Sequence, residues 1–249
     1  MSAWDEETIP HIQISKPQFY QILVFFFITW SIALGLWYTK DLDKIVLYTL
    51  NNSNFNNTIS FLSKLISRYG MALIAGINLL LLLLSFKDEK MKKLRPVFLA
   101  TILSYGVAGI SGDLLKMVFN RPRPILTYAG ELTFLSDSQS PAFPSGHATK
   151  SVALAAPLSF YNISNNRLTF YSKLTTISIA SLVCLSRIMI GAHYISDVFA
   201  GAGWSVLCLP VTIFLTNKLL SKMSPERYEK ASRIWILVYI ALIFFVTTI

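Results

Sequence analysis

The sequence predicts an all-α, polytopic transmembrane bundle of six or seven helices, forming a single integral membrane domain over residues 1–249. Three observations carry this reading. Apolar residues make up 53% of the chain and charged residues only 14%, where an ordinary soluble domain is about 25% charged. The apolar residues are gathered into runs rather than dispersed. Finally, Lys and Arg crowd into alternate connections between those runs, as they do when one side of a membrane is cytoplasmic.

In chain order the runs are 17–39, 69–86, 96–112, 151–166, 174–186, 198–217 and 234–249. At 1.5 Å per residue each approaches the roughly 30 Å of a hydrocarbon core, the shorter ones by borrowing flanking residues. The first run follows Asp5, Glu6 and Glu7, exceeds the length of a signal-peptide core and has no small-residue cleavage site, so it is expected to be a retained anchor. Between the first two spans, Phe55, Ile59, Leu62 and Ile66 recur at helical spacing, which predicts an amphipathic helix on the membrane surface or a simple loop helix. The Asn-rich stretch 51–57 reads as a turn or cap, and its sequons at Asn51 and Asn56 would matter only in a eukaryotic secretory membrane. Cys184 and Cys208 lie in separate apolar runs without metal-ligand spacing, so neither a disulfide nor a structural zinc is expected.

The net charge of +9 suits anionic lipid, phosphorylated substrates or nucleic acid, and the apolar runs argue against the last. Thirteen of the 22 Lys and Arg fall on one side: Lys16, the cluster from Lys87 to Arg95, Arg167, Lys173, and the connection from Lys218 to Arg233. That side is expected to be cytoplasmic in a cell (inner) membrane. The opposite, external or periplasmic end carries Lys40, Lys44, Lys64, Arg68 and Arg121, and with them the polar residues that do not belong in lipid.

An ionisable residue at membrane depth costs several kcal/mol unless paired, so each is a functional candidate. The third span ends in Asp113, Lys116, Arg121, Arg123 and Pro124; the fourth begins at Pro144, Ser145, Gly146, His147 and Lys150; the fifth ends at Ser186 and Arg187; the sixth opens with His193 and Asp197. All these ends share one face. Lys116, Arg123 and Arg187 would repel one another without an anion between them, and phosphate matches the guanidinium fork. Ser145 and Gly146 precede a helix, where backbone N–H groups and the helix dipole favour an anion. His193 and Asp197, four apart, share a helix face. A carboxylate on one ring nitrogen fixes the tautomer and leaves the other nitrogen as a nucleophile, while His147 can protonate the leaving oxygen and later activate water.

Lys116 followed after six residues by Arg123-Pro124, then Pro144-Ser145-Gly146-His147, then Ser186-Arg187 with five residues to His193 and three more to Asp197, resemble the three signatures of the type 2 phosphatidic acid phosphatase family, in order and without departure. The resemblance implies that His193 forms a phosphohistidine, Asp197 orients it and His147 is the general acid. It implies further that Lys116, Arg123, Ser145, Gly146 and Arg187 cradle the phosphate with no metal ion and no cofactor. The substrate expected from it is a lipid phosphate or diphosphate in the bilayer, with phosphatidylglycerophosphate, undecaprenyl diphosphate, phosphatidate and lipid A phosphates all compatible. A lipid phosphotransferase using the same phosphohistidine and a membrane anion transporter are the alternative readings. Arg121, Lys150 and Asp113 fall outside the signatures and are read as structural, Asp113 neutralising or orienting Lys116. Ser186 is read as positioning Arg187 or bonding phosphate. Trp30, Trp37, Tyr38, Tyr69 and Trp204 are read as interfacial or packing residues. Oligomeric state is not legible.

Overall fold

The computed structural model describes residues 9–51, 57–132, 140–160 and 167–248, and its regular elements are helices. In order they are α1 (Lys16–Thr39), α2 (Asp41–Leu50), α3 (Asn57–Leu84), α4 (Glu89–Lys92), α5 (Arg95–Phe119), α6 (Pro124–Thr127), α7 (Gly146–Phe160), α8 (Arg167–Met189), α9 (Ile195–Leu207), α10 (Leu209–Leu220) and α11 (Pro225–Thr248). Among the described residues six candidate spans are long and apolar enough to cross a membrane: α1, α3, α5 running on through α6, α8, α9 with α10, and α11. The protein is a multi-pass, all-α membrane bundle. The seventh expected span is α7, whose 15 residues reach only about 22 Å.

Local chemistry accounts for the boundaries. Ser15 and Gln18 form a capping box at the start of α1, with Pro17 in the first turn. Helix α5 stops where Asn120 takes a left-handed conformation, φ 41°, and Pro122 and Pro124 follow. Large apolar side chains such as Phe27 and Ile28 of α1, Phe170 and Leu174 of α8, and Leu237 and Phe244 of α11 point outward, as they must where the surrounding solvent is hydrocarbon.

The amphipathic helix expected over 55–66 is instead, from Asn57 onward, the first turns of α3; Phe55 lies outside the described residues. Ile59 and Leu62 face outward while Ser63 and Ser67 are buried, so small polar residues mark the packed face and the apolar stripe meets lipid. The helix that does lie between the first two spans is α2. Asn51 is buried and donates its amide to the Met189 carbonyl oxygen at 2.8 Å, which removes it as an exposed acceptor; Asn56 lies outside the described residues.

Helix α7 is the hub of the bundle, packed by α5, α8 and α9, with α1 covering α9 and α11 covering α3. Its contact with α9 depends on Gly201, where a Cβ would fall 2.6 Å from the Ser145 carbonyl oxygen and 2.9 Å from Thr149 Oγ1. Two polar clamps tie down the opposite end. Arg95 reaches Glu229 at 2.5 Å and Ser85 Oγ at 3.1 Å, and Asn217 exchanges two hydrogen bonds with the Ile12 backbone, at 3.0 and 2.8 Å. Trp30 and Trp204 act as packing residues, their indoles donating to the Ala200 carbonyl oxygen at 3.0 Å and to Ser111 Oγ at 2.9 Å.

Candidate active site

The ends of α5, α7, α8 and α9 meet around a cavity of about 650 Å³. Lys116, Arg123, Gly146, His147, Arg187 and His193 all line it, as do Lys64, Arg68 and Lys150. Six of the lining residues are Lys or Arg, and no carboxylate is among them.

His193 and Asp197 sit at the start of α9, and both are buried. Asp197 occupies the third position of the helix and accepts from the Tyr194 backbone N–H at 2.9 Å through Oδ2. The same oxygen lies 3.3 Å from His193 Nδ1, and His193 Nε2 lies 3.3 Å from Arg123 Nη1. Because the guanidinium can only donate, the tautomer that satisfies both of these partners carries Nδ1–H toward Asp197 and the lone pair on Nε2, at the cavity. Burial first, then the charges of Arg123, Arg187 and Lys116, hold the His193 pKa well below its ordinary 6.5. The imidazole is therefore neutral at pH 7.

Each cation is fixed by a neighbour. Arg123 donates through Nε to the Ser140 carbonyl oxygen at 2.6 Å, and through Nη1 to the Ala192 carbonyl oxygen at 3.2 Å. Arg187, buried at the end of α8, donates Nη1 to Ser67 Oγ of α3, while its buried Nε finds no partner among the described residues. Asp113 lies 3.4 Å from Lys116 Nζ and 3.6 Å from Lys150 Nζ. It therefore orients two cations rather than the one expected. At Gly146 a Cβ would come within 3.1 Å of Lys116 Nζ, so glycine keeps the N-terminus of α7 open to that ammonium.

Two expected contacts take another form. Ser145 is fully buried, donates its N–H to the Asp197 carbonyl oxygen at 2.9 Å and offers Oγ to the Ala148 N–H at 3.5 Å, so it braces α7 on α9 behind the cavity wall. Ser186 donates its hydroxyl to the Val183 carbonyl oxygen at 2.7 Å, a bond within its own helix.

Residues outside the signatures complete the support. Arg121 donates Nη1 to Asp197 Oδ1 at 2.7 Å and to Ser196 Oγ at 2.6 Å, and Nη2 to Asp43 Oδ2 at 2.8 Å. Its guanidinium stacks 4.0 Å from the Tyr194 ring centroid and 5.1 Å from that of Trp37. Asp43, from α2, also accepts from the Ser196 backbone N–H at 3.0 Å. The doubled Arg-Pro at 121–124 could have drawn attention to Arg121; nothing local in the sequence singles out Asp43. Among the described residues no three His, Cys, Asp or Glu side chains gather as a metal-holding group.

Fold and site together define a polytopic helical membrane protein with a histidine–aspartate centre in a cationic cavity. The chain belongs to the PAP2 superfamily, whose family model matches residues 96–221, half of its length. It is 33% identical over 141 residues to a lipid A 1-phosphatase of Rhizobium etli, covering 51% of this chain and 55% of that protein. To a lipid A 1-phosphatase of Rhizobium johnstonii it is 31% identical over 138 residues, 51% and 52% of the two chains. The chain thus spans about half the length of the curated relatives it matches. Two crystal structures share the fold. One is a transmembrane PAP2-type phosphatidylglycerolphosphate phosphatase from Bacillus subtilis (TM-score 0.56, 21% identity, 83% of this chain and 97% of that one). The other is LpxE from Aquifex aeolicus (TM-score 0.51, 24% identity, 70% and 95%).

Proposed function

We propose that the protein is a metal-independent membrane phosphatase that removes a terminal phosphate from a lipid phosphate or diphosphate on the external face of a cell (inner) membrane. The observation that carries this is His193 at the cavity wall, its Nδ1 against Asp197 and its Nε2 lone pair turned toward the cationic side chains, with no carboxylate among the described lining residues. In the first step Nε2 attacks phosphorus, the bond to the leaving oxygen breaks in line, and His147 gives that oxygen a proton. Burial and the cations of the cavity hold the His147 pKa well below 6.5, and the bound phosphate anion raises it so that the imidazole carries that proton. Water then attacks the phosphohistidine, its proton passes to His147, and phosphate leaves with Nε2 restored. Lys116, Arg123 and Arg187 stabilise the equatorial oxygens, supplying the positive charge that a metal ion supplies in other phosphoryl-transfer sites.

The site lies at the ends of the spans, so a lipid can present its phosphate at headgroup depth while its chains stay in the bilayer. Similarity to two lipid A 1-phosphatases supports testing lipid A phosphates first, with phosphatidylglycerophosphate, undecaprenyl diphosphate and phosphatidate behind them. The test is phosphate release by the purified protein in detergent, against this panel, with excess chelator present and with vanadate as inhibitor. Release that persists in chelator and falls with vanadate is the expected result. Appearance of a phosphorylated lipid acceptor in place of inorganic phosphate would reassign the protein as a phosphotransferase, and strict dependence on added magnesium would remove the metal-free mechanism.

A further inference from the structure

The cavity is larger and more cationic than one phosphate group requires. The 650 Å³ of the cavity is many times the roughly 30 Å³ share of one water molecule, whereas a phosphate group is five heavy atoms. Lys116, Arg123 and Arg187 surround His193, yet the wall continues past them onto α3. There Lys64, Ser67, Arg68 and Met71, spaced i, i+3, i+4 and i+7, present one helical stripe to the cavity. Ser67 is the anchor of Arg187, so Lys64 and Arg68 flank the phosphate-facing cations within one helical turn. Neither makes an ion pair within 4 Å among the described residues, although Arg68 lies 5.5 Å from the Tyr69 ring centroid. Two cations with no carboxylate partner among the described residues, beside a site that already binds one phosphate, would repel its own cations and any cationic headgroup. A second anion relieves that repulsion. Helix α3 also lies wholly outside the stretch that matches the family model, where substrate selection can vary without altering the chemistry.

We infer that Lys64 and Arg68 form a second phosphate subsite, so that the preferred substrate carries two phosphate groups, one at His193 and one against α3. This rests on the lipid phosphatase reading above. The second phosphate can come from a diphosphate or from another position on a phosphorylated headgroup, and the experiment separates the two. Binding of three lipids in detergent is measured with His193→Ala protein, which cannot form the phosphohistidine: phosphatidate, a prenyl diphosphate, and a glycolipid phosphorylated at both ends. The same series is run with Lys64→Gln and Arg68→Gln added, and with Lys64→Arg and Arg68→Lys, which preserve charge. The neutralising pair is expected to weaken one or both two-phosphate lipids at least about tenfold more than phosphatidate, and the charge-preserving pair to restore the difference. Selective loss on the diphosphate assigns the adjacent source, and selective loss on the glycolipid assigns the distant one. Equal loss on all three lipids, or none, overturns the subsite. Failure of the wild-type protein to release phosphate from any of the three defeats the hydrolase reading separately, because the binding comparison does not depend on turnover.

Discussion

Arg121 holds Asp197 from the side opposite the histidine, donating to Oδ1 at 2.7 Å while Oδ2 faces His193 Nδ1 at 3.3 Å. The guanidinium touches none of the cavity, and its other arm is braced by Asp43. In the proposed mechanism Arg121 is thus a positioning residue for Asp197, the carboxylate that would orient the nucleophile. Its pair with Asp197 is buried on both sides, so removing one partner strands a charge.

Arg121→Gln is accordingly expected to lower kcat by on the order of tenfold to a hundredfold with little change in KM, since binding groups stay in place. It should also destabilise the protein by roughly 3–5 kcal/mol. Arg121→Lys, keeping charge without the two-armed fork, should recover stability more than kcat. Steady-state kinetics and thermal unfolding in detergent measure both; a change confined to KM would place Arg121 among the binding groups instead.

For the histidines, His193→Ala should abolish phosphate release while the protein still inserts and remains monodisperse. His147→Ala should slow turnover by about 10²–10⁴-fold and should be partly rescued by a substrate whose leaving oxygen needs no proton, such as a nitrophenyl phosphate. Asp197→Asn should weaken activity without ending it. Near-normal turnover in the His193 variant would remove the nucleophile assignment.

The pH dependence follows from the surroundings of His193. Its pKa is lowered in the folded protein by burial and by three cations, so the neutral, nucleophilic form persists below the pH at which an ordinary histidine, near 6.5, protonates. The acid limb of kcat/KM, corrected for the ionisation of a monophosphate substrate measured alone, should therefore fall below pH 6.5. A limb at or above that value would mean that another group controls it.

Sidedness can be read chemically. With Cys184 and Cys208 replaced by serine, a single cysteine at exposed Ala129, beside α6, should react with an impermeant thiol reagent in intact cells or spheroplasts. One at exposed Lys222, beyond α10, should react only after the membrane is opened. The reverse pattern would put the cavity in the cytoplasm and bring inner-leaflet lipids to the front.

Much of this protein was legible in the residues alone. Apolar runs set the spans because hydrocarbon tolerates helices, whose backbone bonds are internal, and the signatures picked out His193, Asp197, His147, Lys116, Arg123 and Arg187, which the structure gathers around one cavity, because their spacing lies within single helix ends. What the sequence misjudged was what depends on facing. The stripe of Ile59, Leu62 and Ile66 reads as the buried side of a surface helix, yet in a bilayer the packed side belongs to Ser63, Ser67 and Gly70. Tertiary structure alone decided the support of the site: Asp43 meets Ser196 across 153 residues, Arg121 meets Asp197 across 76, and Ser67 meets Arg187 across 120. It also turned the Ser145 N–H from the cavity to the α9 backbone, because Gly201 lets the two helices approach closely enough for that bond. Periodicity and motif spacing record what lies along one helix. Which helix ends converge, and which groups are satisfied there before a substrate arrives, is set by packing between segments distant in the chain.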